Sequence, residues 1–104
     1  MKPVKISDPA QKDFREILDW YAERDERVAL RFISEARRSL ELIEQSPNIG
    51  SRVPDVADRS IREIAIRKFP YRIIFVDLGD HLNVAAFAHK RRGPKYLINR
   101  LRKS

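Results

Sequence analysis

The feature that most constrains the fold of this chain is a change in its hydrophobic period between residues 45 and 61. Up to Gln45 the apolar residues recur at helical spacing, whereas from Ile61 onward they fall in short runs rich in β-branched and aromatic side chains. A helical half followed by a strand-forming half predicts an α+β fold. A chain of 104 residues is the length of one domain, so we expect residues 1–104 to form a single domain.

The first half predicts two helices that pair as an antiparallel hairpin. Asp8 is expected to cap the first helix, with Pro9 in its first turn, and Asp25 to cap the second, which ends before Ser46-Pro47. The polar break between them, residues 22–25, is too short to separate them. The apolar stripe of the first helix comprises Ala10, Phe14, Ile17, Leu18 and Tyr21, and we expect the shared seam to be widened by Trp20, Leu30 and Leu42.

The second half predicts a three-stranded antiparallel meander, with a further short edge strand at residues 4–6. The three strands are expected at residues 61–67, 71–78 and 81–88. A two-residue turn between the last two pairs Leu78 with His81, which places Arg72 opposite Phe87 and Pro70 opposite His89. A register slip of one residue is left open.

Both faces of this sheet are expected to be apolar. One face would carry Ile64, Ile66, Ile74, Val76 and Phe87, and the other Ala65, Ile73, Phe75, Val84 and Ala86. Because the helical hairpin can cover only one face, the other requires a second copy, a partner chain or the C-terminal segment. The C-terminal residues 94–104 predict a short basic helix. Residues 48–60 show no hydrophobic periodicity and predict a loop.

Composition and charge restrict the possible functions. The chain has no cysteine and only two histidines, so we expect no disulfide, no metal site and no cofactor. It has no apolar stretch of about 20 residues and no signal-peptide core, so we expect a cytoplasmic protein without membrane contact. The net charge is −2 over residues 1–58 and +9 over residues 59–104. This asymmetry predicts a surface that binds an anionic partner.

Several cations of the second half are predicted to converge at one end of the sheet. A run of basic residues can be an ordinary solvated surface, but strand pairing gathers separate sequence positions here, which favours a site. The converging residues are Arg67, Tyr71, Arg72, His89 and Arg91. The candidates for binding a target are Arg67, Arg72, Lys90, Arg91 and Arg92.

If this site is catalytic, its side chains restrict the reaction. Without a metal, such groups can promote attack of an RNA 2′-hydroxyl on the neighbouring phosphate. Arg72 and Arg91 would stabilise the added negative charge, and His89 or Tyr96 would transfer protons. Structural roles stay open for each of these residues. Arg72 could pair with an acidic residue of the helices or extend its side chain to solvent from the start of a strand, His89 could be an ordinary strand-end residue, and Tyr96 could serve in packing.

Four segments of the chain resemble the RelE/ParE family of bacterial toxins from type II toxin–antitoxin modules. They are SDPAQKDF from Ser7, SPNIG from Ser46, FPYRIIF from Phe69 and AHKRRGPKY from Ala88, and together they span nearly the whole chain. The resemblance implies a strand, a helical hairpin, a meander and a basic C-terminal segment. It also implies growth inhibition that a cognate antitoxin neutralises, with a homodimer in the complex left open.

The branches of this family imply different targets. The ParE branch blocks DNA gyrase, whereas the RelE branch is a metal-independent endoribonuclease that cleaves mRNA on the ribosome. Arg72 matches the strand arginine of RelE, but His89, Arg91 and Tyr96 match its C-terminal group only loosely. The ending His-x-Arg-Arg-x-Pro-x-Tyr lacks a clear acid–base pair and resembles ParE more. We therefore expect a gyrase inhibitor and not an enzyme, with the nuclease as the alternative and nonspecific nucleic-acid binding as a third possibility.

Overall fold

The computed structural model describes residues 2–54, 56–58 and 60–103 and has the predicted α+β architecture. Two helices and a short C-terminal helix pack against one mixed sheet. The elements in chain order are β1 (Val4–Ile6), α1 (Asp8–Arg24), α2 (Glu26–Gln45), β2 (Ser51–Arg52), β3 (Ile61–Ala65), β4 (Tyr71–Asp77), β5 (Leu82–His89) and α3 (Pro94–Lys103). None of the helices in the described ranges is both long and apolar enough to cross a bilayer.

The two long helices begin at local capping signals. Ser7, and not Asp8 as predicted, caps α1, because its Oγ accepts a hydrogen bond from the Ala10 N–H at 3.3 Å. Asp8 lies in the first turn, where a carboxylate interacts favourably with the helix dipole. Asp25 caps α2 as predicted, and its Oδ1 accepts from the Arg27 N–H at 2.9 Å. Local hydrogen bonds therefore place the sharp break between the helices.

Helix α1 buries its predicted apolar stripe, but the residues that were expected to widen the seam between the two helices are exposed. All members of the α1 stripe are buried or half-buried. In contrast, Trp20, Leu30 and Leu42 are 51%, 62% and 38% exposed. A helix buries only one stripe of its surface, and here Phe14 and Phe32 fill the space between the helices with ring centroids 5.4 Å apart. The three predicted seam residues lie outside that stripe.

The sheet has the order β1-β5-β4-β3-β2, with β1 parallel to β5 and the other neighbours antiparallel. Strand β2 was not predicted, since it is only two residues long within the expected loop. Arg62 of β3 holds this segment, donating from Nη2 to the Gly50 carbonyl at 2.7 Å. Gly50 has a φ of +85°, and a Cβ there would meet the Glu63 carbonyl oxygen at 2.2 Å, so this close approach requires glycine.

A β-bulge shifts the register of β4 and β5. Next to the turn the pairing is as predicted, with Asp77 opposite Leu82 and the Leu78 N–H donating to the His81 carbonyl. Ala85 is then left unpaired between the pairs Phe75–Val84 and Ile74–Ala86. Beyond it Arg72 lies opposite Ala88 and Tyr71 opposite His89, so the predicted pairs of Arg72 with Phe87 and Pro70 with His89 are wrong by one residue.

The bulge also decides which residues share a face. Phe87 packs with Phe75 beneath the helices, whereas Ala86 packs with Ile74 on the opposite face, so these two face assignments were wrong. Ile64 and Ile66 also lie on the helical side, since β3 aligns Ile64 directly opposite Ile73. The opposite face is covered by α3 through Leu97, which is 2% exposed, and by Val53 of the segment after α2. Of the three possible coverings that the sequence left open for this face, the structure shows the C-terminal segment.

Candidate functional site

Exposed cations lie together at the end of the sheet where β4 begins and β5 ends. Tyr71, the first residue of β4, pairs with His89, the last residue of β5. The adjoining loops carry Arg67, Lys90, Arg91 and Arg92, and all four are exposed. We call these four residues the cationic rim. Within the described ranges, none of them forms an ion pair with a carboxylate.

Arg72, also a candidate, lies beneath the cationic rim. Its side chain is only 15% exposed, and its Nη1 donates to Glu63 Oε2 at 2.5 Å. Its Nη2 donates to the backbone carbonyl of Arg92 at 2.6 Å, and its Nε is buried without a hydrogen-bond partner in the described part of the chain. Arg72 therefore links β3, β4 and the loop after β5. Arg72 forms an ion pair, but its partner is Glu63 of the neighbouring strand β3 and not an acidic residue of the helices, as the structural alternative had it.

His89 organises the turn that carries the cationic rim. Its Nδ1 accepts a hydrogen bond from the Arg91 N–H at 3.1 Å, and its backbone carbonyl accepts from the Arg92 N–H at 2.9 Å. An accepting Nδ1 places the ring proton on Nε2. The ring also meets Tyr71 at a centroid distance of 5.3 Å, nearly perpendicular to it. These contacts fix the direction in which the chain leaves β5.

Tyr96 belongs to a network that ties α3 to α1 and to the loop after β5. Its hydroxyl accepts from Arg100 Nη1 at 2.9 Å, and its ring lies 4.5 Å from the Arg92 guanidinium. Arg100 Nη2 also donates to the Pro9 carbonyl and to the carboxylate of Asp13. Burial alone would lower the pKa of Arg100, but the hydrogen bond and attraction of Asp13 outweigh it, so this pKa is raised and the charge is kept.

A cleft of about 590 Å³ lies beside the cationic rim, between α1, β5 and the start of α3. We call it the α1–β5 cleft. Its lining includes Asp13, Glu16, Ile17, Trp20, Tyr71, Phe87, Ala88, His89, Arg91, Arg92 and Tyr96. Trp20 was not recognised as a site residue from the sequence, because it lies one position before Tyr21 of the buried stripe. Its half-exposed ring is covered on one face by the Arg24 guanidinium, 3.7 Å from the ring centroid.

This arrangement is suited to binding an acidic surface. It offers exposed positive charges next to a partly exposed aromatic ring. The side chains proposed for acid–base chemistry, those of His89 and Tyr96, already make internal hydrogen bonds. Across the described part of the chain, no group of His, Asp or Glu residues could hold a metal ion.

Comparison with known proteins identifies the family. A family model described as the ParE toxin of type II toxin-antitoxin systems, parDE, matches residues 4–94, so the chain belongs to the ParE toxin family. Among solved structures, the chain is similar to one from the chromosomal ParDE TA system of P. aeruginosa. The identity is 19%, the match covers 86% of this chain and 96% of that chain, and the TM-score is 0.71. This likeness confirms the expected fold. A search of curated protein sequences found no significant match.

Proposed function

We propose that this ParE-family toxin arrests growth by inhibiting DNA gyrase. The cationic rim would contact an acidic surface of the enzyme, and a cognate antitoxin would neutralise the toxin by covering the same region. Membership of the ParE family supports the gyrase target. Residues 59–104 carry a net charge of +9, and the four exposed residues of the cationic rim contribute to it. This positive charge supports an anionic binding partner.

One observation favours an inhibitor over a nuclease. A metal-independent nuclease needs a cation free to contact the phosphate, together with groups free to transfer protons. The guanidinium of Arg72 is instead engaged by Glu63 and by the Arg92 carbonyl. The Nδ1 of His89 accepts from the backbone, and the hydroxyl of Tyr96 accepts from Arg100. Three of the four residues that match the RelE branch, Arg72, His89 and Tyr96, therefore have structural partners, whereas the side chain of Arg91 forms no ion pair among the described residues.

The geometry of the cationic rim supports recognition by charge. The loop after β5, which carries Lys90, Arg91 and Arg92, is held at three points. Arg72 and His89 each make a hydrogen bond to its backbone, and the Lys90 N–H donates to the Pro70 carbonyl at 2.9 Å. The backbone is therefore positioned before the partner arrives, which lowers the entropic cost of binding. Exposed charges of one sign accelerate association with an acidic partner, and salt weakens this effect.

A supercoiling assay with purified gyrase and relaxed plasmid tests the proposal. We expect the toxin to reduce supercoiling and to trap gyrase–DNA breaks, and we expect toxin premixed with its antitoxin to leave supercoiling intact. In parallel, the toxin is added to a translation reaction with labelled mRNA. Intact gyrase activity together with cut transcripts would contradict the proposal and favour the RelE-like nuclease.

A further inference from the structure

We propose that Lys68, in the turn between β3 and β4, is a target-binding residue that the fold holds in a strained backbone conformation. Together with Arg31 of α2 it extends the cationic rim onto the helical hairpin and contacts carboxylates of the same acidic partner. The proposal rests on the proposed function, and it adds to that function two binding residues and a second part of the binding surface.

The turn between β3 and β4 places Lys68 in a conformation that favours glycine. The Phe69 N–H donates to the Ile66 carbonyl at 3.2 Å, which closes a four-residue turn over residues 66–69. Lys68, the third residue of this turn, has a φ of +70° and is the only non-glycine residue with a positive φ in the described part of the chain. In a type II turn only the third residue has a positive φ, and glycine or asparagine usually occupies it. A lysine there is strained, because its Cβ crowds the following carbonyl oxygen.

No contact within the described structure requires a lysine at this position. The side chain of Lys68 is exposed and makes neither a hydrogen bond nor an ion pair with the residues that the structure describes. Its neighbours, in contrast, anchor the turn. Ile66 is 1% exposed, and Phe69 packs edge-on against Tyr21 and Phe32 with ring centroids 5.3 and 5.2 Å away. Strained residues that the fold itself does not use are commonly found at binding sites.

Lys68 connects the cationic rim with a further exposed cation on α2. A cleft of about 210 Å³ lies between the turn and the first half of α2, and its lining consists of Val28, Arg31, Glu35, Lys68 and Phe69. Arg31 is exposed and, like Lys68, forms no ion pair with a carboxylate of the described residues. Glu35, the acid of this lining, lies outside ion-pair distance of both cations. Because Lys68 directly follows Arg67 of the rim, exposed positive charge extends from the rim to α2.

This arrangement suits carboxylates on a protein surface. Lys68 and Arg31 can each pair with a carboxylate of the partner, and the half-buried side chains of Val28 and Phe69 beside them offer apolar contact. Since the anchored turn positions Lys68 before the partner arrives, little conformational freedom is lost on binding. The backbone strain is then offset by a contact that forms only in the complex.

Thermal unfolding of three variants measures the backbone strain. Lys68→Gly and Lys68→Asn remove the charge and suit a positive φ, and asparagine also limits the freedom of the turn. We expect Lys68→Gly to raise the Tm by about 2–6 °C, because the relief of strain exceeds the added freedom of the unfolded chain. Lys68→Asn should be at least as stable as wild type. Lys68→Arg keeps both the charge and the strain and should unfold at the wild-type temperature.

Gyrase inhibition and growth arrest measure the binding role of the same residue. We expect half-inhibition of supercoiling to require about five-fold more of Lys68→Gly, of Lys68→Asn or of Arg31→Ala than of wild type. Lys68→Arg should stay within about two-fold of wild type. The matched control is Arg37→Ala, which removes an exposed cation of α2 outside the lining of this cleft and should also stay within about two-fold. Growth arrest after induction in cells that lack the antitoxin should follow the same order.

A gain in stability together with a loss of inhibition in Lys68→Gly and Lys68→Asn supports the proposal. If these variants inhibit gyrase as strongly as wild type, the binding role of Lys68 is wrong and the proposed function stands. If Lys68→Gly is no more stable than wild type, the backbone is not strained and the proposal is overturned as well. If the wild-type toxin arrests growth without inhibiting gyrase, the gyrase proposal fails, while the order of the variants in growth arrest still decides the role of Lys68.

Discussion

The ion pair between Glu63 and Arg72 determines how the loop of the cationic rim is held, and its removal has a predictable cost. The two side chains are 20% and 15% exposed, and their closest atoms are 2.5 Å apart. Arg72→Met keeps most of the aliphatic length but removes the charge and the hydrogen bonds to Glu63 and to the Arg92 carbonyl. Glu63 is then left as a largely buried carboxylate without its partner.

The magnitude follows from this burial. Removing one partner of a buried ion pair costs about 3–5 kcal/mol, and the pair here retains some contact with water, so we expect about 2–3 kcal/mol for Arg72→Met. In a domain of this size that lowers the Tm by about 10–20 °C. Glu63→Gln keeps an acceptor for the guanidinium and should cost about 1 kcal/mol.

A double-mutant cycle isolates the interaction. In the double variant carrying Arg72→Met and Glu63→Gln no charge is left unpaired, so we expect it to be more stable than the sum of the single changes by about 1–2 kcal/mol. The free energies of unfolding are measured by urea denaturation followed by far-ultraviolet circular dichroism. Strictly additive effects, or a cost below about 0.5 kcal/mol for Arg72→Met, would refute the assigned role of this pair.

Three further predictions follow from particular contacts. Leu97→Ala should lower the free energy of unfolding by about 2–4 kcal/mol in urea denaturation, because Leu97 is 2% exposed over the second apolar face; a smaller loss than Ile98→Ala would contradict this. Gly50→Ala should also destabilise the fold, since the added Cβ meets the Glu63 carbonyl, and unchanged thermal unfolding would be the contrary result. The hydrogen bond from Lys2, followed by that from the Gly79 N–H, lowers the pKa of Asp77, so its contribution is present above the ordinary aspartate pKa and is lost as the pH falls through the lowered pKa. Stability measured against pH should therefore decline less steeply in acid for Asp77→Asn, and identical curves would count against this contact.

Much of the fold could be predicted from the sequence because its signals are local. The apolar stripes of α1 and α2 follow the helical period, and Asp25 makes its capping bond only two residues away. The turn at residues 79–80 also fixed the neighbouring register correctly. The bulge at Ala85 has no such signal, since nothing in a run of small residues indicates which one is unpaired.

The candidate site was harder to predict because its contacts join distant positions. The sequence indicated which cations lie at the same end of the sheet, because the positions of the turns determine which strand ends are neighbours. It could not indicate that Arg72 is held by Glu63, since that contact depends on how β3 and β4 align. Nor could it indicate that Trp20 lines a cleft, because its exposure depends on the helix rotation that packing selects.

The cationic rim is the surface proposed to contact the target, and one comparison of gyrase inhibition tests this role. The double variant Lys90→Ala with Arg91→Ala removes two adjacent exposed cations of the rim, and Arg37→Ala with Arg38→Ala removes two on α2 with the same change in net charge. We predict that half-inhibition requires about ten-fold more of the rim variant, whereas the α2 variant stays close to wild type. Equal potency of the two variants would show that the cationic rim does not contact gyrase.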